Sequence, residues 1–148
     1  MQVIPALTLL GGIASLKELY AAGCWPHYAV EMAHYYGKIL RVRIGWYALL
    51  ETPSPVLRAW RIGGRLACVS ALQLHGQLEV AGPLHIVFPR GASRLRALEP
   101  SVMHWTRRPL PPGRGAVPDE MAIRQAASCA HLPDSGSSPC GPASRHPR

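Results

Sequence analysis

The apolar positions of the first 50 residues follow two different periods. Over Leu7–Ala22 they recur at helical spacing, with an early interruption at two glycines, and Gly23 follows where a glycine commonly ends a helix. A second helix is predicted over residues 27–36, because a proline precedes it and Gly37 stops it. The two segments together predict a helix-turn-helix.

The period then shortens to that of a β-strand. In residues 38–50, apolar and basic side chains alternate before β-branched and aromatic residues take over, which predicts a β-hairpin that turns at Ile44–Gly45. The alternation places Arg41 and Arg43 on one face of this hairpin. Helix, turn, helix and basic hairpin follow the order of a winged helix-turn-helix, and we assign residues 1–50 to that domain.

A second unit of helices and strands is predicted over residues 55–108, after a short linker that contains two prolines. Its expected elements are two helices and two strands, at residues 56–62, 66–75, 84–88 and 102–105. The predicted fold class is therefore α/β, more narrowly α+β: a winged helix-turn-helix followed by a small helical and β lobe.

The last part of the chain has a different composition. Residues 109–148 are rich in Pro, Gly and Ser, and we expect a disordered tail with one helix over residues 118–132.

The charge of the chain points to a polyanionic partner. The formal net charge is +8, from 16 basic and 8 acidic side chains in 148 residues, and 12 of the basic residues lie between Lys38 and Arg114, where only three acids occur. Nucleic acid is the commonest partner for such a surface, an anionic membrane surface is the next, and solubility alone is the remaining alternative. Arg outnumbers Lys fourteen to two. A GC-rich genome would produce the same bias, so the preference for Arg is not by itself evidence of phosphate binding.

The sequence predicts a cytoplasmic protein without a membrane partner. No apolar run approaches the roughly 20 residues that a bilayer-spanning helix needs. The uncharged segment Met1–Leu16 lacks the basic start of a signal peptide and is interrupted by Pro5 and two glycines, so we do not expect export.

Three groups of side chains form the predicted DNA-binding site. The outward face of the second helix supplies polar and basic groups, the hairpin supplies two arginines, and a loop after residue 88 supplies a further basic cluster. These residues are His27, Tyr28, His34, Tyr35 and Lys38 on the helix, Arg41 and Arg43 on the hairpin, and Arg90, Arg94 and Arg96 in the loop. Ala29, Val30, Ala33 and Tyr36 are expected to pack inward. For each group the alternative is a solvated surface that binds nothing.

The histidines, cysteines and acids predict neither a catalytic residue nor a bound metal. The four cysteines form no C-x-x-C pair. Zinc binding by the tail is the alternative, but the spacing of its four candidate ligands, Cys129, His131, Cys140 and His146, matches no common finger. His75 and His85 lie among apolar residues and are expected to be core histidines. No serine or cysteine lies in the sequence context of a catalytic nucleophile, and no glycine-rich segment matches a phosphate-binding loop. We therefore predict a protein that is not an enzyme and has no cofactor.

Four segments occur in an order and spacing that are specific when taken together: Gly37–Leu49, Gly64–Gly76, Leu84–Pro89 and Val102–Trp105. Over roughly residues 10–132 the chain resembles the AbiEi-type antitoxin family of type IV toxin–antitoxin systems. The resemblance implies a DNA-binding winged helix and autorepression of an operon by occupancy of its operator. It also implies a nucleotidyltransferase toxin as genetic partner. A homodimer fits this interpretation, since one small winged helix reads few bases alone.

The chain departs from the family in two places. The family's second helix usually carries several Arg or Lys residues, whereas residues 25–36 contain none, so Arg–guanine contacts are not available from this helix. Many relatives continue into a very-short-patch-repair-like nuclease domain, whose metal site needs clustered acids. After Trp105 the only acids are Asp119, Glu120 and Asp134. Two alternatives to DNA binding remain: an interaction module for an acidic protein, and an inactive remnant of a repair-type nuclease.

Overall fold

A computed structural model describes residues 2–92 and 95–130 of the chain. Within these ranges the protein is a mixed α+β structure with two three-stranded sheets. Its elements, in chain order, are α1 (Val3–Leu9), β1 (Ile13–Ser15), α2 (Leu16–Ala21), α3 (Ala29–Tyr35), β2 (Ile39–Arg43), β3 (Trp46–Leu49), α4 (Ser54–Ile62), β4 (Arg65–Leu66), α5 (Cys68–His75), β5 (Leu84–Phe88), β6 (Ser101–Trp105) and α6 (Asp119–Ala127).

The first predicted helix is divided into two helices by a strand. Gly11 and Gly12 adopt φ values of 90° and 88°, a left-handed conformation that ends α1 after Leu9 and is easy only for glycine. Strand β1 follows, and α2 then starts with a capping box, in which Ser15 and Glu18 each accept a hydrogen bond from the other's backbone N–H, at 3.2 and 2.8 Å. The prediction of one interrupted helix over residues 7–22 was therefore wrong.

Helix α3 starts later than the proline suggested. Residues 25–28 form a connection in which the Trp25–Pro26 peptide is cis and the His27 ring packs edge-on against Trp25, with 4.0 Å between ring centroids. The Tyr20 hydroxyl donates a hydrogen bond to the His27 carbonyl at 3.0 Å. Because His27 is held in this connection, it is not on the helix, contrary to the prediction.

The first sheet has the strand order β1-β3-β2 and is antiparallel throughout. The hairpin of β2 and β3 turns at Ile44–Gly45, as predicted. Its register contains a bulge, however, since Arg41 lies opposite Tyr47 whereas Arg43 lies opposite the neighbouring Trp46. Consecutive residues of β3 point to opposite faces, so Arg41 and Arg43 do not share one face and that prediction was wrong.

The second lobe contains the expected elements and one short additional strand. Strand β5 covers Leu84–Phe88 as predicted, and all five of its residues are buried. Strand β4, which the sequence did not predict, pairs antiparallel with β5, and β6 pairs parallel with it. Gly64 allows this arrangement because a Cβ there would lie 2.5 Å from both the Ile86 side chain and the Val87 carbonyl oxygen.

Both faces of the first sheet are buried. One face packs against α1, α2 and α3 through a core that includes Leu7, Leu19, Val30 and Tyr47. The opposite face packs against α4 and the second sheet through a core that joins Ile13, Val42 and Ala48 to residues of the second lobe such as Ile62 and Phe88. The predicted units 1–50 and 55–108 therefore share a hydrophobic core.

The Pro-rich segment after residue 109 packs against the second lobe and contributes to a third core. Val117 and Ala122 are fully buried, and the Val117 N–H donates a hydrogen bond to the Leu66 carbonyl at 2.9 Å. A disordered tail from residue 109 was thus the wrong expectation for its first part, while residues 131–148 lie outside the described ranges. Helix α6 is shorter than predicted, since it starts at Asp119 and ends at Ala127.

The described helices are short. The longest contain nine residues, and in the part of the chain that the structure describes no helix is long and apolar enough to cross a bilayer.

Candidate nucleic-acid interface

Helix α3 packs on the first sheet through Val30, with Ala29 and Ala33 partly buried beside it, and it exposes its opposite face. Val30 is fully buried, whereas Tyr28 is 65% and Tyr35 79% exposed. Lys38 is also exposed, immediately after the helix and before β2. Tyr28, Tyr35 and Lys38 are therefore all accessible to solvent, which their predicted role in DNA binding requires.

Two further aromatic residues of this region are exposed, His34 as predicted and Tyr36 contrary to the prediction. His34 is exposed, but its Nδ1 lies 3.5 Å from the Ile39 carbonyl oxygen and its ring lies near Tyr47, so it also braces α3 against the sheet. Tyr36 was expected to pack inward and is 65% exposed, with its ring edge-on to that of Tyr35 at 5.3 Å. The prediction for Tyr36 was wrong because α3 ends at Tyr35, so the 3.6-residue period no longer applies.

The two arginines of the hairpin have different environments. Arg41 is exposed on β2, the strand that contacts α3. Arg43 is half-buried, with its guanidinium carbon 5.6 Å from the centre of the Trp46 ring, which is the distance of a cation–π contact. Burial, and in second place the charge of Arg96, lower the pKa of Arg43 from its ordinary value. The hairpin and the loop after β5 therefore come close to each other at Arg43 and Arg96.

The basic loop between β5 and β6 is fixed to the second lobe. The backbone N–H of Arg96 donates a hydrogen bond to the Ile62 carbonyl at 3.0 Å, where α4 ends. Arg90 and Arg96 are exposed, whereas Arg94 lies outside the described residues. This loop thus brings the charge of Arg96 close to Arg43, and Arg90 is a further exposed cation of the same loop.

Many of the other arginines hold the fold together instead of facing solvent. Arg58 forms an ion pair with Glu99, and Arg114 forms one with Glu18. Arg65 is 6% exposed and donates to three backbone carbonyls of the Pro-rich segment, at Pro111, Gly115 and Ala116. The basic surface is therefore smaller than the count of arginines indicated. The sequence did not reveal this, because the backbone carbonyls that accept hydrogen bonds from Arg65 cannot be recognised in a sequence.

A cavity of about 390 Å³ lies where the hairpin, α4 and the Pro-rich segment meet. Trp46 and Trp60 form one wall with their ring centroids 5.1 Å apart, and the Trp60 Nε1–H donates to the Arg114 carbonyl at 2.6 Å. Arg43 and Arg114 also line the cavity, and both guanidinium groups lie close to the Trp46 ring. The sequence did not predict this cavity, because its walls come from three distant segments.

A second group of polar side chains lies on the far side of the second lobe. The side-chain ligand atoms of Cys68, His85, His104 and Cys129 all lie within 4.8 Å of one another. Burial is the main cause that raises the pKa of the Cys68 thiol to about 11, while a hydrogen bond from the Val69 N–H acts in the opposite direction. This cluster was not predicted, because long intervals of sequence separate its members.

The histidines that were expected in the core differ from each other. His85 is 2% exposed, which confirms the prediction of burial, and its backbone N–H donates to the Ser70 hydroxyl at 3.0 Å. His75 is exposed and its Nδ1 lies 2.5 Å from an Asp119 carboxylate oxygen, so the prediction of a core histidine there was wrong. Of the tail set considered for zinc, only Cys129 lies within the described residues; His131, Cys140 and His146 lie outside them.

No protein-family model matches this chain, and no curated protein matches it either. The functional groups of the candidate interface come from α3, the residues that flank it and β2. The interface presents tyrosine hydroxyls, an ammonium group and a guanidinium group to solvent, and these groups are suited to phosphate oxygens and base edges.

Proposed function

We propose that this protein binds double-stranded DNA as a winged helix, with α3 in the major groove and the β2–β3 hairpin on the backbone. The observation that carries the proposal is the exposure of Tyr28 and Tyr35 at the two ends of α3, of Lys38 shortly after it, and of Arg41 on β2, the strand that contacts α3. The order of elements α1-β1-α2-α3-β2-β3, with the sheet order β1-β3-β2, is also that of winged-helix domains and supports it.

The chemistry of α3 favours backbone contacts over strong base readout. Its exposed side carries tyrosines and no arginine, so the bidentate contact of Arg with guanine is not available from it. Glu31 is exposed on the same helix and repels phosphates unless it accepts a hydrogen bond from a cytosine amino group. Most of the affinity then comes from Lys38 and Arg41, and it should fall steeply as the salt concentration rises.

In a cell, such binding would act by occupancy of an operator. The resemblance to AbiEi-type antitoxins supports a transcriptional repressor of its own or a neighbouring operon, with a nucleotidyltransferase toxin as the genetic partner and a homodimer as the binding unit. An adjacent gene for a nucleotidyltransferase would favour the antitoxin role, whereas neighbouring phage genes would favour a phage-derived repressor.

A protein-interaction module is the second candidate, and one observation favours it. Met32 on α3, Tyr36 directly after α3 and Ile44 at the turn of the hairpin are 39%, 65% and 74% exposed, so the elements proposed to bind DNA also present more apolar surface than phosphate binding requires. An acidic protein with a few apolar anchors would fit this surface as well as DNA would.

Duplex binding at several salt concentrations separates the two candidates. The probe is a fluorescent duplex from the region upstream of the gene, and a scrambled duplex of equal length serves as reference. We expect tight binding at low salt, and the double variant Lys38→Gln/Arg41→Gln should lower the slope of log K against log salt by about 2, because each phosphate contact contributes about 0.9.

The matched control carries two neutralised cations elsewhere. Lys17 and Arg124 are exposed on α2 and α6, and Lys17→Gln/Arg124→Gln should leave the salt slope as in the wild type. Absence of duplex binding at low salt would overturn the DNA proposal and leave the interaction module.

A further inference from the structure

The second sheet directs two imidazoles to one point. His85 lies on β5 and His104 on the parallel neighbour β6, where it pairs with Val87, two residues beyond His85. Residues two apart on a strand share a face, and paired residues of neighbouring strands do so as well. Both imidazoles therefore project from the face that α5 and α6 cover, and His85 Nδ1 lies 3.2 Å from His104 Nε2.

The two helices that cover this face bring a thiol each. Cys68 is the first residue of α5, and Cys129 follows the end of α6. The Cys68 N–H donates a hydrogen bond to the Gln125 side-chain oxygen of α6 at 2.9 Å, which fixes the two helix ends to each other. Cys68 has a φ of 52°, a left-handed conformation rare for any residue other than glycine and often found at functional sites.

The distances within the cluster are those of ligands around one metal ion. Cys129 Sγ lies 3.7 Å from His85 Nδ1 and 3.9 Å from His104 Nε2. In a tetrahedral zinc site with Zn–S bonds of about 2.3 Å and Zn–N bonds of about 2.0–2.1 Å, two nitrogens are about 3.3 Å apart, and sulfur and nitrogen about 3.5 Å. The observed separations are close to these values, and the nearest ligand atoms of all four residues lie within 4.8 Å.

We propose that Cys68, His85, His104 and Cys129 bind one zinc ion. Two thiolates and two neutral imidazoles are a donor set that zinc prefers, and their combined charge balances that of Zn²⁺, which suits a site with the fully buried Cys68. Four protein ligands leave no open position, so the ion has a structural role. It connects β5 and β6 to the start of α5 and the end of α6.

The surrounding groups support the ligands in the way that metal sites require. The Gln125 side-chain oxygen accepts the hydrogen bond of the Cys68 N–H and fixes the backbone of that ligand. The Ser70 hydroxyl accepts the backbone N–H of His85 and holds the strand against α5. Such outer contacts fix the orientation of metal ligands.

Cobalt binding by the full chain tests the proposal. The protein is purified with a reductant, stripped with a chelator and titrated with Co²⁺ without oxygen. We expect one Co²⁺ per chain, with the intense visible bands of a tetrahedral ion and the near-ultraviolet band of thiolate-to-cobalt charge transfer, and one equivalent of Zn²⁺ should abolish both. Absence of stoichiometric binding, or the weak bands of an octahedral ion, would overturn the proposal without any variant.

Two substitutions and two controls then assign the ligands. Cys129→Ala and His104→Asn change the half-buried members of the cluster, which keeps the disturbance of the core small, and each should weaken Co²⁺ binding by more than about 100-fold, since even outer contacts are worth about 10- to 100-fold. The controls are Cys24→Ala, which removes a cysteine buried in the core that contains Leu19 and Val30, and Cys140→Ala, which removes a cysteine outside the described residues. Both variants should bind Co²⁺ as the wild type does. Unchanged spectra in Cys129→Ala and His104→Asn, or loss of the bands in Cys140→Ala, would contradict the assignment.

Discussion

The guanidinium of Arg114 donates hydrogen bonds to the carboxylate of Glu18, although 96 residues separate them in the chain. Glu18 is also the acidic member of the capping box that starts α2. One carboxylate therefore connects the N-terminal helices to the Pro-rich segment of the second lobe. The hydrogen bond from Arg114 is the largest of the effects that lower the pKa of Glu18 from 4.5 to about 2.

This depressed pKa predicts how stability depends on pH. Because the carboxyl is more acidic in the folded state, its contribution is complete above about pH 4.5 and is lost as the pH falls towards about 2. The Glu18 side chain is 33% exposed, so solvent screening limits the contribution to about 1 kcal/mol. In urea unfolding, Glu18→Gln should be less stable than the wild type at pH 7 by about that amount, and the difference should vanish at the acid end of the window.

The control for this experiment is Glu79→Gln, since Glu79 is exposed in a loop. It should change the free energy of unfolding by less than about 0.5 kcal/mol at every pH. A difference between Glu18→Gln and the wild type that stays constant from neutral to acid pH would show that the Arg114 contact does not stabilise the charged form.

The bulge in β2 predicts different effects for the two hairpin arginines. Arg41→Gln should lower the salt slope of DNA binding by about 1 and leave the stability unchanged, because Arg41 is exposed. Arg43→Gln should keep the salt slope and reduce the free energy of unfolding by about 0.5–1 kcal/mol, because its guanidinium packs on Trp46. Fluorescence anisotropy at four salt concentrations and urea unfolding measure the two quantities. Equal losses of salt slope in both variants would mean that both arginines bind phosphate.

Tyr35 offers a test of the helix itself. Its side chain is 79% exposed, so Tyr35→Ala should change the free energy of unfolding by less than about 0.5 kcal/mol. If the helix lies in the groove, the same substitution weakens duplex binding by about tenfold, the order expected for the loss of one direct contact. Ile123→Ala, at a 56% exposed position of α6, is the matched control. If the Tyr35→Ala and Ile123→Ala variants bind duplex DNA with equal affinity, Tyr35 does not contact DNA and α3 is not the helix in the groove.

Close packing at Gly64 predicts a large effect of one methyl group. A Cβ at this position would lie 2.5 Å from the Ile86 side chain and the Val87 carbonyl oxygen, so Gly64→Ala forces β4 away from β5 and should cost about 1–3 kcal/mol of stability. At Gly115 a Cβ would meet nothing within 4 Å. Gly115→Ala should therefore change the free energy of unfolding by less than about 0.5 kcal/mol. Similar urea midpoints for the Gly64→Ala and Gly115→Ala variants would argue against the tight contact between β4 and β5.

The sequence predicted those elements whose signals are local. Strand β5 is a continuous run of apolar residues, and the hairpin turns at a glycine with a φ of 75°, so both were placed correctly. Strand β1 has three residues between two helices, too few to interrupt a helical period in a sequence. The bulge at Val42 was also missed, because the alternation of side chains reveals the strand but not the register of its partner.

The candidate interface was predictable only in part. The exposure of Tyr35, Lys38 and Arg41 follows from the amphipathic pattern. Whether an arginine faces solvent or donates to backbone carbonyls, as Arg65 does, depends on tertiary contacts across about 50 residues. The same holds for the cluster around His85, whose members come from α5, β5, β6 and the residues after α6 and have no motif spacing.

The double burial of the first sheet also bears on how the chain becomes compact during synthesis. Helices α1–α3 and strands β1–β3 are complete once Leu49 has been made, but the sheet face that carries Ile13, Val42 and Ala48 is covered only by α4 and β5, and Arg114 closes the contact with Glu18 later still. At about 5–20 residues per second, several seconds pass between these events. During that interval the nascent N-terminal part presents an apolar sheet face, which is the kind of surface that molecular chaperones bind.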